Sequence, residues 1–523
     1  MNATTRPAVK HRDYTFLGLT QSLCPECRQV VPAKIIARGQ RVYFRKNCPT
    51  HGSREDFICS DVRRYDLTET SLPAKLPVHT FAQPEHGCPY DCGLCSEHEQ
   101  HTCIGVIEIT DGCNLSCPMC YAASGPGQKH KSLEDIKRAI DRLVLAEGRA
   151  EVVQLSGGEP TLHPQLLEAV EYALSQPIDY VMINTNGIRL AHDAHLVDQL
   201  AAHRQRLEIY FQLDALVDQQ IQHLRGQAGL LKTKLRALDR LAQAGLNVTL
   251  VSTLQGGVND NAPAELIEFA RGRPEVTGLS FQPATYSGRS ALPESLEQRI
   301  TFPDVIDNIV NDPRNEYRAD DFFPLPCAHP NCHWISLAAR DGQSLLPLTQ
   351  AIDARQNMDL LANGISFTRE KTQSLAQQIV ARLACGEGDC CTSSVVDRSS
   401  VVDRSADQMS SVVDRSVDPM SGNNKQTNNP SLRQLPLSNL DSESRATMEP
   451  TSDFLQRVIQ QSVGARDVLR ITITSFLDVY NFDLRRVMKC CTHHVLPSGH
   501  IIPFCAYNVL YRDGTAKLPT IQE

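Results

Sequence analysis

The sequence predicts an α/β fold, a partial TIM-like (β/α)6 barrel with a small metal ribbon before it and a cysteine-rich region after it. Three observations lead there. Between residues 105 and 312, short runs rich in β-branched and aromatic residues alternate with amphipathic helical stretches. The 19 cysteines are grouped as C-x2-C and C-x3-C-x2-C rather than scattered. One such triplet, Cys113, Cys117 and Cys120, directly follows the first strand-like run. Consecutive βα units build a parallel sheet whose chemistry lies at the C-terminal ends of its strands.

Residues 18–75 read as a rubredoxin-like or zinc-ribbon domain. Cys24-Pro-Glu-Cys27 opens it, Arg41-Val-Tyr-Phe44 is strand-like, and Cys48-Pro-Thr-His51 closes it. Cys24, Cys27, Cys48 and His51 are the expected ligands of one iron or zinc ion, with Cys59 the alternative to His51. Histidine at a knuckle is common for zinc, whereas rubredoxin-type iron takes four thiolates, so the metal stays open. A domain this small buries little core, and the ion supplies part of its folding energy.

Residues 80–104 lack any period and carry a second triplet, Cys88, Cys92 and Cys95. No strand precedes it. Cys103, eight residues beyond Cys95, is a candidate fourth ligand of a closed auxiliary cluster.

The barrel strands are expected at 105–110, 151–155, 179–184, 207–213, 247–254 and 278–282. A helix is expected over 132–144, with Ser132 and Asp135 as its N-terminal signal. Another is expected over 263–272, with Pro263 at its start and Gly272 at its end.

Residues 313–391 and 453–510 form the C-terminal region; the first part is expected to be mixed and helical in part, and the second to include a strand at 469–474. Cys327, Cys332, Cys505 and either Cys490 or Cys491 are expected to hold a further cluster, with zinc the structural alternative for both auxiliary sets. Residues 393–450 repeat Val-Val-Asp-Arg three times at irregular spacing amid Ser, Asn and Asp. Units this short bury no face, so the segment reads as a disordered insertion.

The net charge of −8 leaves no basic surplus for phosphates, which argues against a general nucleic-acid partner. The N-terminal residues lack the apolar core of a signal peptide. No apolar run approaches the roughly 18–20 residues that span a bilayer. The chain is expected to be soluble and cytoplasmic, with peripheral membrane contact left open. Grouped cysteines in that compartment indicate metal rather than disulfides.

Three thiolates on one tight loop hold three irons of a [4Fe–4S] cluster and leave the fourth iron open to a ligand. One βα unit later, the second strand ends in Ser156-Gly157-Gly158-Glu159-Pro160. The pairing resembles the radical S-adenosylmethionine (SAM) enzymes. That resemblance implies that the open iron chelates SAM and that reductive cleavage yields a 5′-deoxyadenosyl radical, which abstracts hydrogen from an unactivated carbon. It places Gly157, Gly158, Glu159 and Pro160 at the SAM amino group. It places Asn184, Asn186, Gln212 and Asp214 at the ribose or methionine, against a reading as ordinary turn residues. Gln282 and Arg289, after the sixth strand, are candidates for SAM or substrate contact. Met119 stands where the superfamily usually has an aromatic residue, with Tyr121 just after the last cysteine.

Three longer stretches carry a closer resemblance: CPECRQVVPAKI with CPTHG, GCPYDCGLCSEHEQHTC, and FLDVYNFDLRRVMKCCTHHVLPSGHIIPFCAYN. They are similar to the archaeal tetraether synthase family, also labelled 7,8-dihydro-6-hydroxymethylpterin dimethyltransferase. This implies carbon–carbon bond formation on lipid chains by a radical SAM cluster, auxiliary [4Fe–4S] clusters (two here) and a rubredoxin-like site. The expected partners are a lipid or small-molecule substrate and a reduced flavodoxin- or ferredoxin-type electron donor. The alternatives are radical C-methylation of a pterin or other small molecule, peptide modification, and a non-catalytic iron–sulfur or zinc scaffold.

Overall fold

The computed structural model describes residues 11–290, 292–350 and 463–521, with a few positions between 353 and 457. The expected insertion at 393–450, and Cys385, Cys390 and Cys391, lie outside the described residues.

The ribbon is a four-stranded antiparallel meander of β1 (Thr15–Leu23), β2 (Val30–Arg38), β3 (Arg41–Cys48) and β4 (Gly52–Cys59). In a meander the first and third turns fall at the same end. The turns after β1 and β3 carry Cys24–Cys27 and Cys48–His51, so topology alone brings the two knuckles together. Ile35, Val42 and Phe44 point inward and join the main hydrophobic core, whereas Leu23 packs with Leu477 and Phe482. Lys46 and Asp56 are buried and paired at 3.0 Å. The Lys46 ammonium also donates to the carbonyls of Val479 and Tyr480, at 3.1 and 2.7 Å, which pins the C-terminal chain to the ribbon.

The second sheet supplies the barrel. Its strands are β5 (Ile104–Thr110), β6 (Ala150–Gly157), β7 (Ile178–Thr185), β8 (Leu207–Gln212), β9 (Asn247–Leu254) and β10 (Val276–Pro283), all parallel. The helices between and after them are α1 (Leu133–Glu147), α2 (Leu166–Ser175), α3 (Ala194–Ala201), α4 (Asp218–Arg225), α5 (Leu230–Gln243), α6 (Ala262–Arg271) and α7 (Phe302–Asn311). In α1, Ile136, Ala139, Ile140, Leu143 and Ala146 recur at helical spacing and pack against the sheet. Ser132 caps it by accepting from the Asp135 N–H at 3.1 Å.

The C-terminal region continues this sheet. It comprises β11 (Phe323–Pro324), β12 (His333–Asp341), β13 (Ser344–Pro347), β14 (Val468–Thr474), the short helix α8 (Leu484–Met488), β15 (Thr492–Val495) and β16 (Ile501–Pro503). The order is β11-β12-β14-β10-β9-β8-β7-β6-β5-β15-β16, with β13 on β12. β14 extends the parallel run beyond β10, and β15 extends it beyond β5. Among the described residues, 313–350 form short strands joined by 3-10 turns, and the α-helices of the C-terminal region fall later, at α8 and at Phe504–Ala506. The apolar run Trp334-Ile-Ser-Leu-Ala-Ala339 is buried on both faces, so no period-two alternation marks it as a strand.

Candidate active site and metal centres

A cavity of about 210 Å³ opens at the C-terminal ends of the parallel strands. Cys113, Cys117 and Cys120 border it, on the loop that leaves β5. Burial pushes the Cys113 thiol up to about 12, so loading a metal there must release a proton.

Gly157 and Gly158 line the same cavity because nothing larger fits. A Cβ on Gly157, at φ 121°, would stand 2.1 Å from the Thr110 carbonyl oxygen, and one on Gly158 would stand 2.2 Å from that of Gly112. The β6 turn can therefore lie directly on the cysteine loop. The Gly158 N–H donates to Thr110 at 2.7 Å and the Glu159 N–H to Gly112 at 2.8 Å. Gly288 plays a matching part at φ 63°, with Cys120 and Tyr121 carbonyl oxygens 2.3 Å from where its Cβ would be. Arg289 then reaches the same loop, donating to the carbonyls of Cys117 at 3.2 Å and Ser124 at 2.6 Å.

Glu159 departs from its expected place at a SAM amino group. Its carboxylate is buried and turned into the protein. One oxygen accepts from Thr161 N–H at 3.1 Å, the Thr161 hydroxyl at 2.6 Å and the Thr185 hydroxyl at 2.7 Å. The other accepts from the Asn186 N–H at 2.7 Å. Glu159 thus holds the ends of β6 and β7 in register, and Pro160 sits inside a 3-10 turn.

Asn184, Asn186 and Gln212 line the cavity. The Asn186 amide donates to the Asn114 side chain, at 2.7 Å, inside the cysteine loop. Asp214 does not face the cavity. It is buried against Arg225, whose Nε donates to it at 2.7 Å. Arg225 is the residue that lines the cavity, and its charge draws down the Cys117 thiol against the larger upward push of burial. The sequence holds no sign of this pair, because it forms between a strand end and the last turn of α4.

Lys234 on α5 is a second buried cation. It donates to the Asn186 and Gln212 carbonyls at 2.9 and 2.7 Å, tying the ends of β7 and β8. Burial lowers its pKa from 10.5 to about 8. Between those two values the unfolded chain keeps the proton that the folded chain has lost. Stability contributed by this group therefore rises with pH from about 8 towards 10.5. Denaturant midpoints measured across that window should rise in the wild type relative to Lys234→Met; parallel curves would refute the assignment.

A polar wall joins the expected Gln282 to residues that motif reading missed. Tyr210 on β8 donates to the Ser280 hydroxyl at 2.7 Å and accepts from Gln282 at 2.9 Å. His333 and Thr474, first and last residues of β12 and β14, meet at 3.1 Å. Ile104, Val106, Phe476, Leu477 and Phe504 supply an apolar wall.

The ribbon brings the ligand atoms of Cys24, Cys27, Cys48 and His51 within 4.8 Å of one another. His51 Nδ1 lies 3.5 Å from both Cys24 and Cys48 sulfurs. Cys59 lies outside this group; it is buried beside Asp61.

The other cysteines regroup. Cys88, Cys92 and Cys95 border one small cavity with His98 and His493. Cys103, expected with them, lies instead with Cys327 and Cys491, all three sulfurs within 4.8 Å. The reason is topological: β15 pairs with β5, so the residues just before them, Cys491 and Cys103, become neighbours, and the Cys103 N–H donates to the Cys491 carbonyl at 2.8 Å. Cys332, Cys490 and Cys505 lie outside that group; burial pushes all three thiols up, and Arg486 Nε donates to Cys332 at 3.2 Å.

Comparison with known proteins agrees with this layout. Residues 107–270 match the radical SAM superfamily, and residues 16–60 match the HMPTM N-terminal zinc ribbon domain. The 7,8-dihydro-6-hydroxymethylpterin dimethyltransferase of Methanocaldococcus jannaschii is 30% identical over 520 residues, covering 94% of each chain. GTP 3′,8-cyclase of Haemophilus ducreyi is 27% identical over 199 residues, which is 37% of this chain and 54% of that protein. The solved structure of Streptococcus suis SuiB aligns with 37% of this chain and 43% of its own, at 16% identity and a TM-score of 0.32. With a full-length relative at this identity and cysteines and glycines arranged around one cavity, the chain is a radical SAM enzyme of the family that includes the M. jannaschii dimethyltransferase.

Proposed function

We propose that the enzyme forms a carbon–carbon bond at an unactivated carbon of a compact polar heterocycle of the pterin class. The polar wall of Tyr210, Gln282, His333 and Thr474 carries this reading, because it offers donors and acceptors to the edge of a ring and nothing useful to an alkyl chain. The full-length relative is named for a pterin.

The residues present fit the cofactors that the family implies. Cys113, Cys117 and Cys120 would hold a [4Fe–4S] cluster, and the backbone of Gly157 and Gly158, which lines the same cavity, would lie along the methionine end of SAM. When bound, the cluster and SAM supply a 5′-deoxyadenosyl radical. The chain's own residues do the rest. Glu159 and Lys234 hold three strand ends rigid. Arg225 keeps a positive charge beside Cys117. The apolar wall excludes water from a reactive radical. A reduced flavodoxin- or ferredoxin-type protein would deliver the electron.

Lipid-chain coupling is the second reading, and the apolar wall of Phe476, Leu477 and Phe504 favours it. Anaerobic, reconstituted enzyme with dithionite and SAM, one SAM for the radical and a second as the methyl source, would be offered 6-hydroxymethyl-7,8-dihydropterin and, separately, archaeal-type diether lipids. Mass spectrometry should find a methylated pterin, and Tyr210→Phe should lower its yield more than uncoupled SAM cleavage. Coupled lipid chains in place of methylated pterin would select the second reading. SAM cleavage with neither product would reject both.

A further inference from the structure

We propose that Gln154, on β6 inside the barrel, selects the substrate by a paired hydrogen bond to the lactam edge of its ring. This rests on the pterin-class reading of the cavity and adds the residue that recognises the ring.

Strand geometry puts Gln154 in the cavity. Side chains alternate along β6: Val153 and Leu155 join the main core with residues of α1 and α2, whereas Gln154 and Ser156 line the cavity. In register, Gln154 stands between Val106 on β5 and Met182 on β7. Neither neighbour offers a strong hydrogen-bonding group to an amide.

Gln154 is 8% exposed, and its carboxamide has no hydrogen-bond partner among the described residues. Other carboxamides of this cavity are met by the protein. Asn184 donates to the Ser156 hydroxyl at 3.2 Å and Asn186 to the Asn114 side chain at 2.7 Å. Gln282 donates to the Tyr210 hydroxyl at 2.9 Å and Asn508 to the Phe504 carbonyl at 3.0 Å. A buried amide without a partner is costly, so the exception at Gln154 points to a ligand that completes it.

Chemistry names the edge that fits. A carboxamide carries a donor and an acceptor side by side. Its match carries the complementary pair, as the N–H and C=O of a lactam do. The pyrimidinone of a pterin has that pair, and a saturated chain has neither group. The surroundings suit a flat ring. Ile104 and Val106 of β5 line the cavity next to Gln154. Beyond them, on β15, Thr492 is 7% exposed, and its hydroxyl also has no partner among the described residues. Two strand spacings, roughly 10 Å, separate β6 from β15. A ring lying on Ile104 and Val106 would meet Gln154 at one edge and Thr492 near the other.

The test uses full-length protein, reconstituted without oxygen and supplied with SAM but no reductant. Equilibrium dialysis would give the Kd of 6-hydroxymethyl-7,8-dihydropterin and of its 4-deoxy analogue, which has C–H in place of the lactam oxygen and a bare ring nitrogen in place of the N–H. Wild type and Gln154→Met would be compared at equal iron content. Wild type should prefer the lactam ring about ten- to a hundredfold. Gln154→Met should bind the lactam ring more weakly and shrink the preference to about threefold or less, a coupling that a merely structural glutamine would not produce. A preference kept in Gln154→Met would overturn the inference. So would equal binding of the two rings by wild type, a result that needs no variant to fold. Wild type that binds neither ring would instead remove the pterin-class reading itself, and this inference with it.

Discussion

Cys117→Ala should abolish 5′-deoxyadenosine formation, a fall of at least about a thousandfold, or about 4 kcal/mol in barrier terms. The loop that carries Cys117 does not depend on its sulfur for shape. The Cys113 N–H donates to the Gly125 carbonyl at 3.0 Å, Arg289 braces the loop backbone, and Gly158 lies against its start. The fold should survive, and the loss should fall on the cluster. Cys59→Ala is the matched control, since Cys59 is also a buried thiol but lies outside every metal group. It should leave product formation near wild type. The measurement is product by chromatography after anaerobic reduction. Undiminished product from Cys117→Ala would move the SAM-binding role to Cys88, Cys92 and Cys95, the other triplet of the same spacing.

Asp214→Asn should cost about 3–5 kcal/mol of stability, because it leaves the Arg225 guanidinium buried without its countercharge. Asp214 is 0% and Arg225 4% exposed, so water cannot replace the lost partner. Asp214 also accepts from the Thr253 N–H at 3.1 Å, so the substitution loosens β9 as well as α4. The paired change Asp214→Asn with Arg225→Met should recover much of the loss, since no uncompensated charge then remains. Resistance to thermal inactivation is the readout for a chain of this size. A single-variant cost under about 1 kcal/mol would mean that the pair behaves like a surface ion pair.

Local order was readable. The six barrel strands were expected within two residues of where they stand, since each is a short apolar run ended by a polar turn. The cysteine loop and the Gly-Gly turn were legible because their spacing is a property of a few consecutive residues. The roles of Glu159 and Asp214 were not. Both are carboxylates at strand ends, where a ligand contact and a structural contact look alike. What separates them is the set of donors that packing delivers: Thr161, Thr185 and Asn186 to one, Arg225 to the other.

The sequence by itself determined the chemistry class, because three spaced cysteines, a Gly-Gly turn and alternating βα units are encoded over short distances along the chain. Only the tertiary structure decided which distant cysteines meet. Cys103, Cys327 and Cys491 come from segments far apart in sequence, and they meet because β12 and β15 return to opposite edges of one sheet. Spacing along a chain constrains neighbours on one loop, whereas contacts between loops are set by strand order and burial, which no local pattern records.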